Sequence, residues 1–98
     1  MVAVRVKIAD VSGRADTAAQ GKTAFRAISD ALKSGVVEID FHGITTATSS
    51  FANIAFVELL STWKLDELKR RLRIVNSTRQ INEMIKSRLE REGKRRAA

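Results

Sequence analysis

Val36-Val37-Glu38-Ile39-Asp40-Phe41-His42-Gly43-Ile44-Thr45-Thr46-Ala47-Thr48-Ser49-Ser50-Phe51 is the stretch whose reading decides the fold. Residues 36–41 form a β-branched, apolar-rich run bounded by Gly35 and Gly43, the pattern of a strand between two turn signals. Residues 45–50 are rich in hydroxyls, which supply N-caps for a helix running from Phe51 to about residue 63. A strand that feeds a helix through a short loop is one half of a β-α-β unit. The flanks should supply the rest.

Upstream, Gly21, Phe25, Ile28 and Leu32, with Ala24 and Ala31 beside them, fall at helical spacing within residues 17–33. Ser34-Gly35 ends that helix, glycine supplying a left-handed cap. Residues 2–8 alternate apolar with polar or small side chains, the period of a strand with one buried face. Downstream, residues 69–71 lead into a third strand, Leu72-Arg73-Ile74-Val75-Asn76. Ser77-Thr78-Arg79-Gln80 has the form of a capping box, and Ile81, Met84, Ile85 and Leu89 continue it as a third helical stripe. Residues 93–98 are expected to fray. The order β-α-β-α-β-α predicts a small α/β domain: a mainly parallel sheet, right-handed crossovers and packed helices. Three strands leave exposed edges.

Ninety-eight residues allow one domain, residues 1–98, with a basic C-terminal helix and tail over about residues 77–98. Apolar residues at 44% and charged residues at 30% fit a folded chain and exclude a disordered tail. No window offers the apolar length of a spanning helix, and residues 1–5 have neither the basic lead nor the apolar block of a signal peptide. Cysteine is absent and His42 is the single histidine, so thiol catalysis, disulfides and multi-histidine metal sites are excluded within one chain. The expectation is a cytoplasmic domain with no cofactor, no metal and no membrane contact.

The net charge of +7 has an address. Residues 1–63 carry six basic and six acidic side chains, whereas residues 64–98 carry twelve basic against five acidic. Arg88, Arg91, Lys94, Arg95 and Arg96 dominate this excess. They read either as a solvated helix end complementing its dipole or as a nucleic-acid footprint, with no interleaved aromatics to stack on bases.

Two catalytic patterns are weak. Gly21-Lys22-Thr23 lacks the earlier glycine of a phosphate-binding loop, because that position is Asp16, and Gly21 lies on the helical stripe. Asp40, His42 and Ser50 invite a hydrolase triad, with Asp40 and His42 able to share a face, but no nucleophile-elbow pattern surrounds the serine. The helix of residues 51–63 is more informative, since nine of its thirteen positions are apolar. Such breadth means either a deeply buried core helix or one with a second face for a partner, Phe51 and Trp63 being the anchors.

The stretch Ile39 to Ser50 resembles the core of STAS domains, named for sulfate transporters and anti-sigma factor antagonists. Their pattern is a strand ending apolar-Asp-apolar-x-Gly-apolar, four variable residues, then Ser-Ser opening a helix, and it fits here without a gap. The continuation Ser-Ser-Phe-Ala-Asn is more similar still to the STAS-like branch of short stand-alone bacterial and phage-borne domains of unassigned function. The similarity spans roughly residues 12–75, its specific part being residues 39–56. The resemblance implies that Ser50 matches the antagonists' phosphorylated serine and Asp40 the acidic residue closing the strand. Antagonists usually carry Asp before the serine pair and Gly after it, where this chain has Thr48 and Phe51.

The reading is a non-enzymatic, protein-binding regulatory module, anti-sigma-factor-antagonist-like, with Ser50 the phosphorylation candidate. Asp40, Thr48, Ser49, Ser50 and Phe51 would meet a protein partner, an anti-sigma-type kinase on this resemblance. Ser50 at a helix start could carry a phosphate without unfolding the helix. The alternative is nucleic-acid binding through Arg88, Arg91, Lys94, Arg95 and Arg96, and a weaker alternative is a small hydrolase. A weak or moderate homodimer is expected as well, from the sheet edges and the apolar second helix.

Overall fold

The computed structural model describes residues 3–97, with side-chain surroundings through Arg96. The chain runs β1 (Val4–Lys7), α1 (Ile8–Val11), α2 (Ala18–Leu32), β2 (Val37–Asp40), α3 (Ser49–Ala55), a 3₁₀ segment (Val57–Ser61), α4 (Leu65–Arg71), β3 (Leu72–Val75) and α5 (Arg79–Ala97). The fold is mixed α/β, built on one parallel sheet in the order β1-β2-β3. Its register sets Val6, Ile39 and Ile74 in one row and Arg5, Glu38 and Arg73 in the next.

Alternation divides the sheet. Val6, Val37 and Ile39 are buried on the face that carries the helices. The opposite face is charged: Arg5 bonds Glu38 at 3.0 Å across it, and Arg73 stands exposed in the same row. The core continues through Phe41, Phe51 and Phe56, all fully buried, with the Phe41 and Phe56 rings 6.3 Å apart. Each such side chain contributes about 1.5–3 kcal/mol by leaving water.

Helix α2 starts where Thr17 and Gln20 cap each other. The Thr17 hydroxyl accepts the Gln20 N–H at 3.1 Å, and the Gln20 side chain accepts the Thr17 N–H at 3.0 Å. Its stripe buries Gly21, Ala24, Ile28 and Leu32 as the spacing predicts. Gly21 has a further role: a Cβ there would lie 2.9 Å from the Ile54 Cβ and 3.1 Å from the Phe51 carbonyl oxygen. Only glycine lets α2 and α3 come this close. The helix is finished by Gly35 at φ 130.

Several boundaries differ from the sequence reading. The first strand is shorter than residues 2–8, because Ile8 opens the single turn α1, where it is fully buried; Val2 lies outside the described residues. The helix of residues 51–63 is two pieces, broken at Phe56 (φ −116, ψ −48) where α3 gives way to the 3₁₀ segment. Helix α4, absent from the sequence reading, carries Asp66 and Glu67 in its first turn and Lys69, Arg70 and Arg71 in its last, matching its dipole at both ends. The cap of α5 is Thr78, whose hydroxyl accepts the Ile81 N–H at 3.1 Å; Ser77 turns its hydroxyl to the Asn82 side chain instead. Residues 93–97, expected to fray, are helical. They continue α5, with Gly93 buried so tightly that a Cβ would lie 2.8 Å from Leu65 Cδ2; Ala98 lies outside the described residues.

Candidate functional site

Parallel α/β sheets build sites beyond the carboxyl ends of their strands. Here that end is organised by Asp40, the last residue of β2 and only 4% exposed. Its Oδ1 accepts the His42 backbone N–H at 2.8 Å and the Asn76 side-chain amide at 3.1 Å; its Oδ2 accepts Arg5 Nη1 at 3.3 Å. Arg5 is on β1 and Asn76 follows β3, so one carboxylate ties all three strands and the start of the loop. Asn76 sits at φ 55, a left-handed conformation that asparagine tolerates better than most residues. The His42 N–H, then the Asn76 amide, hold the Asp40 carboxyl below the usual aspartate range; burial opposes them, and the charges of Arg5 and Lys7 add to the lowering.

Beyond Asp40 the chain turns at Gly43 (φ 86), and buried Ile44 returns its N–H to the Phe41 carbonyl at 2.8 Å. Thr45 and Thr46 are exposed. Thr48 closes the loop with three bonds. Its N–H reaches the Ala15 carbonyl at 2.9 Å, its hydroxyl donates to the Asp16 carbonyl at 2.7 Å, and the same oxygen accepts the Phe51 N–H at 3.2 Å. The β1–α2 and β2–α3 connections are thereby fastened to each other. Between them lies a polar cleft of about 360 Å³, lined by Gly13, Arg14, Asp16, Gly43, Thr45 and Thr46. Arg14 and Asp16 face each other at 3.8 Å on its exposed rim.

Of the residues singled out in the sequence, Thr48, Ser49 and Ser50 are exposed together, with Thr48 the cap of α3 and Ser49 and Ser50 its first two residues. Phe51 and Asp40 are not part of that surface. Phe51 is fully buried, its ring edge-on to Phe56 at 6.5 Å, so it is a core residue and no partner anchor. Asp40 is likewise buried and occupied by its own chain, so it shapes the surface from below. The apolar breadth after Ser50 has the same explanation: Ala52, Ala55, Phe56, Val57 and Leu59 are all buried. That removes the helix face from the case for a homodimer and leaves the sheet edges.

The triad arrangement does not form among the described residues. Asp40 bonds the backbone N–H of His42 and not its ring, His42 is exposed, and Ser50 bonds neither. Gly21-Lys22-Thr23 lies within α2, as the stripe predicts. In α5, Arg88 donates to the Asn53 side chain at 3.1 Å, and Arg95 pairs with Glu92 at 3.0 Å. Arg88, Arg91 and Arg96 line a cleft of about 290 Å³ with Asn53, Glu58 and Glu92, whereas Lys94 is outside it.

Three contributors escaped the sequence reading: Asn76, Arg14 and Asp16. The one local signal was Thr17-x-x-Gln20, a capping box that fixes where α2 begins and so where Asp16 must stand.

No group of three or more histidine, cysteine or acidic side chains among the described residues could hold a metal ion, and no helix among them is long and apolar enough to cross a membrane. The family model described as a STAS-like domain of unknown function matches residues 20–82, and the chain belongs to that family. No curated protein and no solved structure matches it.

Proposed function

We propose that this STAS-like domain is a non-enzymatic regulatory module that binds a protein partner, in the manner of an anti-sigma factor antagonist. The docking surface is the loop of residues 43–50 with the first turn of α3. One observation carries the reading: buried Asp40 and exposed Thr48 pin the two ends of this loop, while Thr45, Thr46, Ser49 and Ser50 are exposed together. A surface ordered before contact loses less conformational entropy on binding.

Ser50 is the switch in this reading. It is exposed at the second position of α3, so a phosphate of about −1.5 to −2 charge can be added without opening the core. The new charge then acts on whatever is docked over the loop. A kinase-type anti-sigma partner fits that logic.

Affinity capture from the host cell's lysate tests the reading, with wild type, Ser50→Asp, Thr46→Trp and, at the far end of the sheet, Lys33→Trp as control. A protein held by wild type and the control, and lost by the two loop variants at unchanged melting temperature, supports the proposal. Identical recovery by all four proteins would show that this loop is not the interface.

A second reading rests on the arginine-lined cleft of α5. Arg88, Arg91 and Arg96 converge where a phosphate backbone could lie, although Glu58 and Glu92 offset part of their charge. Nucleic-acid binding there requires retention of DNA or RNA that falls steeply with salt. Gel shifts without such retention would remove it.

A further inference from the structure

We propose that the free edge of β3 and the apolar groove beside it form a second docking surface, one that takes an extended acidic segment of a partner protein as a fourth strand. The inference is independent of the loop reading, because it concerns a different edge of the sheet.

The first support is the hydrogen-bond pattern. Among the described residues β3 pairs with β2 alone, Ile74 standing opposite Ile39, and the Phe41 N–H reaches the Val75 carbonyl at 3.0 Å. In a parallel ladder this turns the backbone groups of Arg73 and Val75 toward β2 and those of Leu72 and Ile74 away from it. The Leu72 N–H is taken by the Leu68 carbonyl at the end of α4. The Leu72 carbonyl and both backbone groups of Ile74 therefore face the open edge. Such an edge is a template for an added strand.

The second support is the groove under that edge. About 520 Å³ lies open between α4, β3 and α5, floored by Leu65, Leu68, Leu72, Ile74, Ile85 and Leu89. Leu72 and Ile74 are only partly buried, whereas Val37 and Ile39, their register partners on β2, are fully buried. The apolar layer is complete at β2 and stops one side chain short at β3. Alternate side chains of a fourth strand would extend those same rows. Gly93 seats α5 against Leu65, and Lys69 and Glu90, both lining the groove, pair at 3.6 Å between α4 and α5.

Charge selects the occupant. Residues 64–98, which build α4, β3 and α5, hold the whole +7 excess, and Arg73 and Lys86 stand exposed at the edge and the groove. Pairing β3 with the β3 of a second copy would bring two such regions together. An acidic strand meets the same field with the opposite sign.

The test uses the full chain and a synthetic, end-capped peptide of alternating valine and glutamate, with an alternating valine–lysine peptide as control, followed by NMR titration. Binding of the acidic peptide should move the Ile74 amide and the Leu72 and Leu89 methyl signals. Ile74→Pro removes the outward N–H without touching the pairing to β2, and should weaken binding about tenfold, while Ile74→Val retains it. Should the proline variant not fold, the surface pair Arg73→Glu/Lys86→Glu should reverse the preference between the two peptides. Ser50→Asp and Thr46→Trp should leave peptide binding unchanged, which separates this surface from the loop. No binding, shifts confined to other regions, or equal binding of both peptides would overturn the proposal. So would a doubled mass in light scattering that the Arg73→Glu/Lys86→Glu pair abolishes, since the occupant would then be a second copy.

Discussion

The Thr48 hydroxyl donates to the backbone carbonyl of Asp16 at 2.7 Å, fastening together two loops that are 32 residues apart in the chain. The same oxygen caps α3 through the Phe51 N–H. One exposed threonine therefore sets both where the helix begins and where the loop surface stands.

Thr48→Val keeps the branched shape and removes both bonds. It should cost about 1–2 kcal/mol in chemical denaturation, the range for a lost cap and a lost side-chain bond. Amide exchange at Thr45 and Thr46 should speed up with it. Thr48→Ser, which retains the hydroxyl, should stay close to wild type. Equal stability of all three proteins would show that the staple contributes nothing.

Asp40 makes the fold sensitive to acid. Its folded pKa is lowered, first by the His42 N–H and then by the Asn76 amide, so its contribution is fully present above the unfolded value of about 3.9. That contribution is lost as pH falls through the lower folded value. Wild type should therefore exceed Asp40→Asn in stability at neutral pH, and the gap should close below about pH 4. Urea unfolding at a series of pH values reads this directly. A gap that stayed constant into acid would mean that charge is not what Asp40 contributes.

Phe51 separates core from interface. Its burial predicts that Phe51→Ala loses about 3–5 kcal/mol in equilibrium unfolding. A loss below about 1 kcal/mol would mean the ring is not packed as described.

The strands, their parallel pairing and helix α2 were legible in the sequence, because each has its own period and its own punctuation. The loop was legible for the same reason: Gly43 turns it and the hydroxyl run caps α3. What escaped is tertiary. The break at Phe56 has no proline or glycine to announce it, and both pieces pack against α2 and α5. Helix α4 spans only seven residues, too few for a clear stripe, and just its charge order marks it. Ser77 and Thr78 are adjacent hydroxyls, and sequence spacing alone put the cap one residue early. Gly93 looked like the start of a frayed tail, whereas it is the point where α5 touches Leu65. The partners of Asp40 lie on other strands, so the motif marked its position but not its bonds. Phe51 was misread because apolar breadth on a helix does not say which side faces water.

The claim that the loop of residues 43–50 is a protein-docking surface is tested most directly by photo-crosslinking in the living host. A photoreactive side chain is placed at Thr46 in one protein and at Lys33, away from the loop, in another. The account predicts one dominant adduct from Thr46, absent from Lys33 and abolished when Ser50→Asp is added to the Thr46 protein. No adduct from Thr46, or the same adducts from both positions, would contradict it.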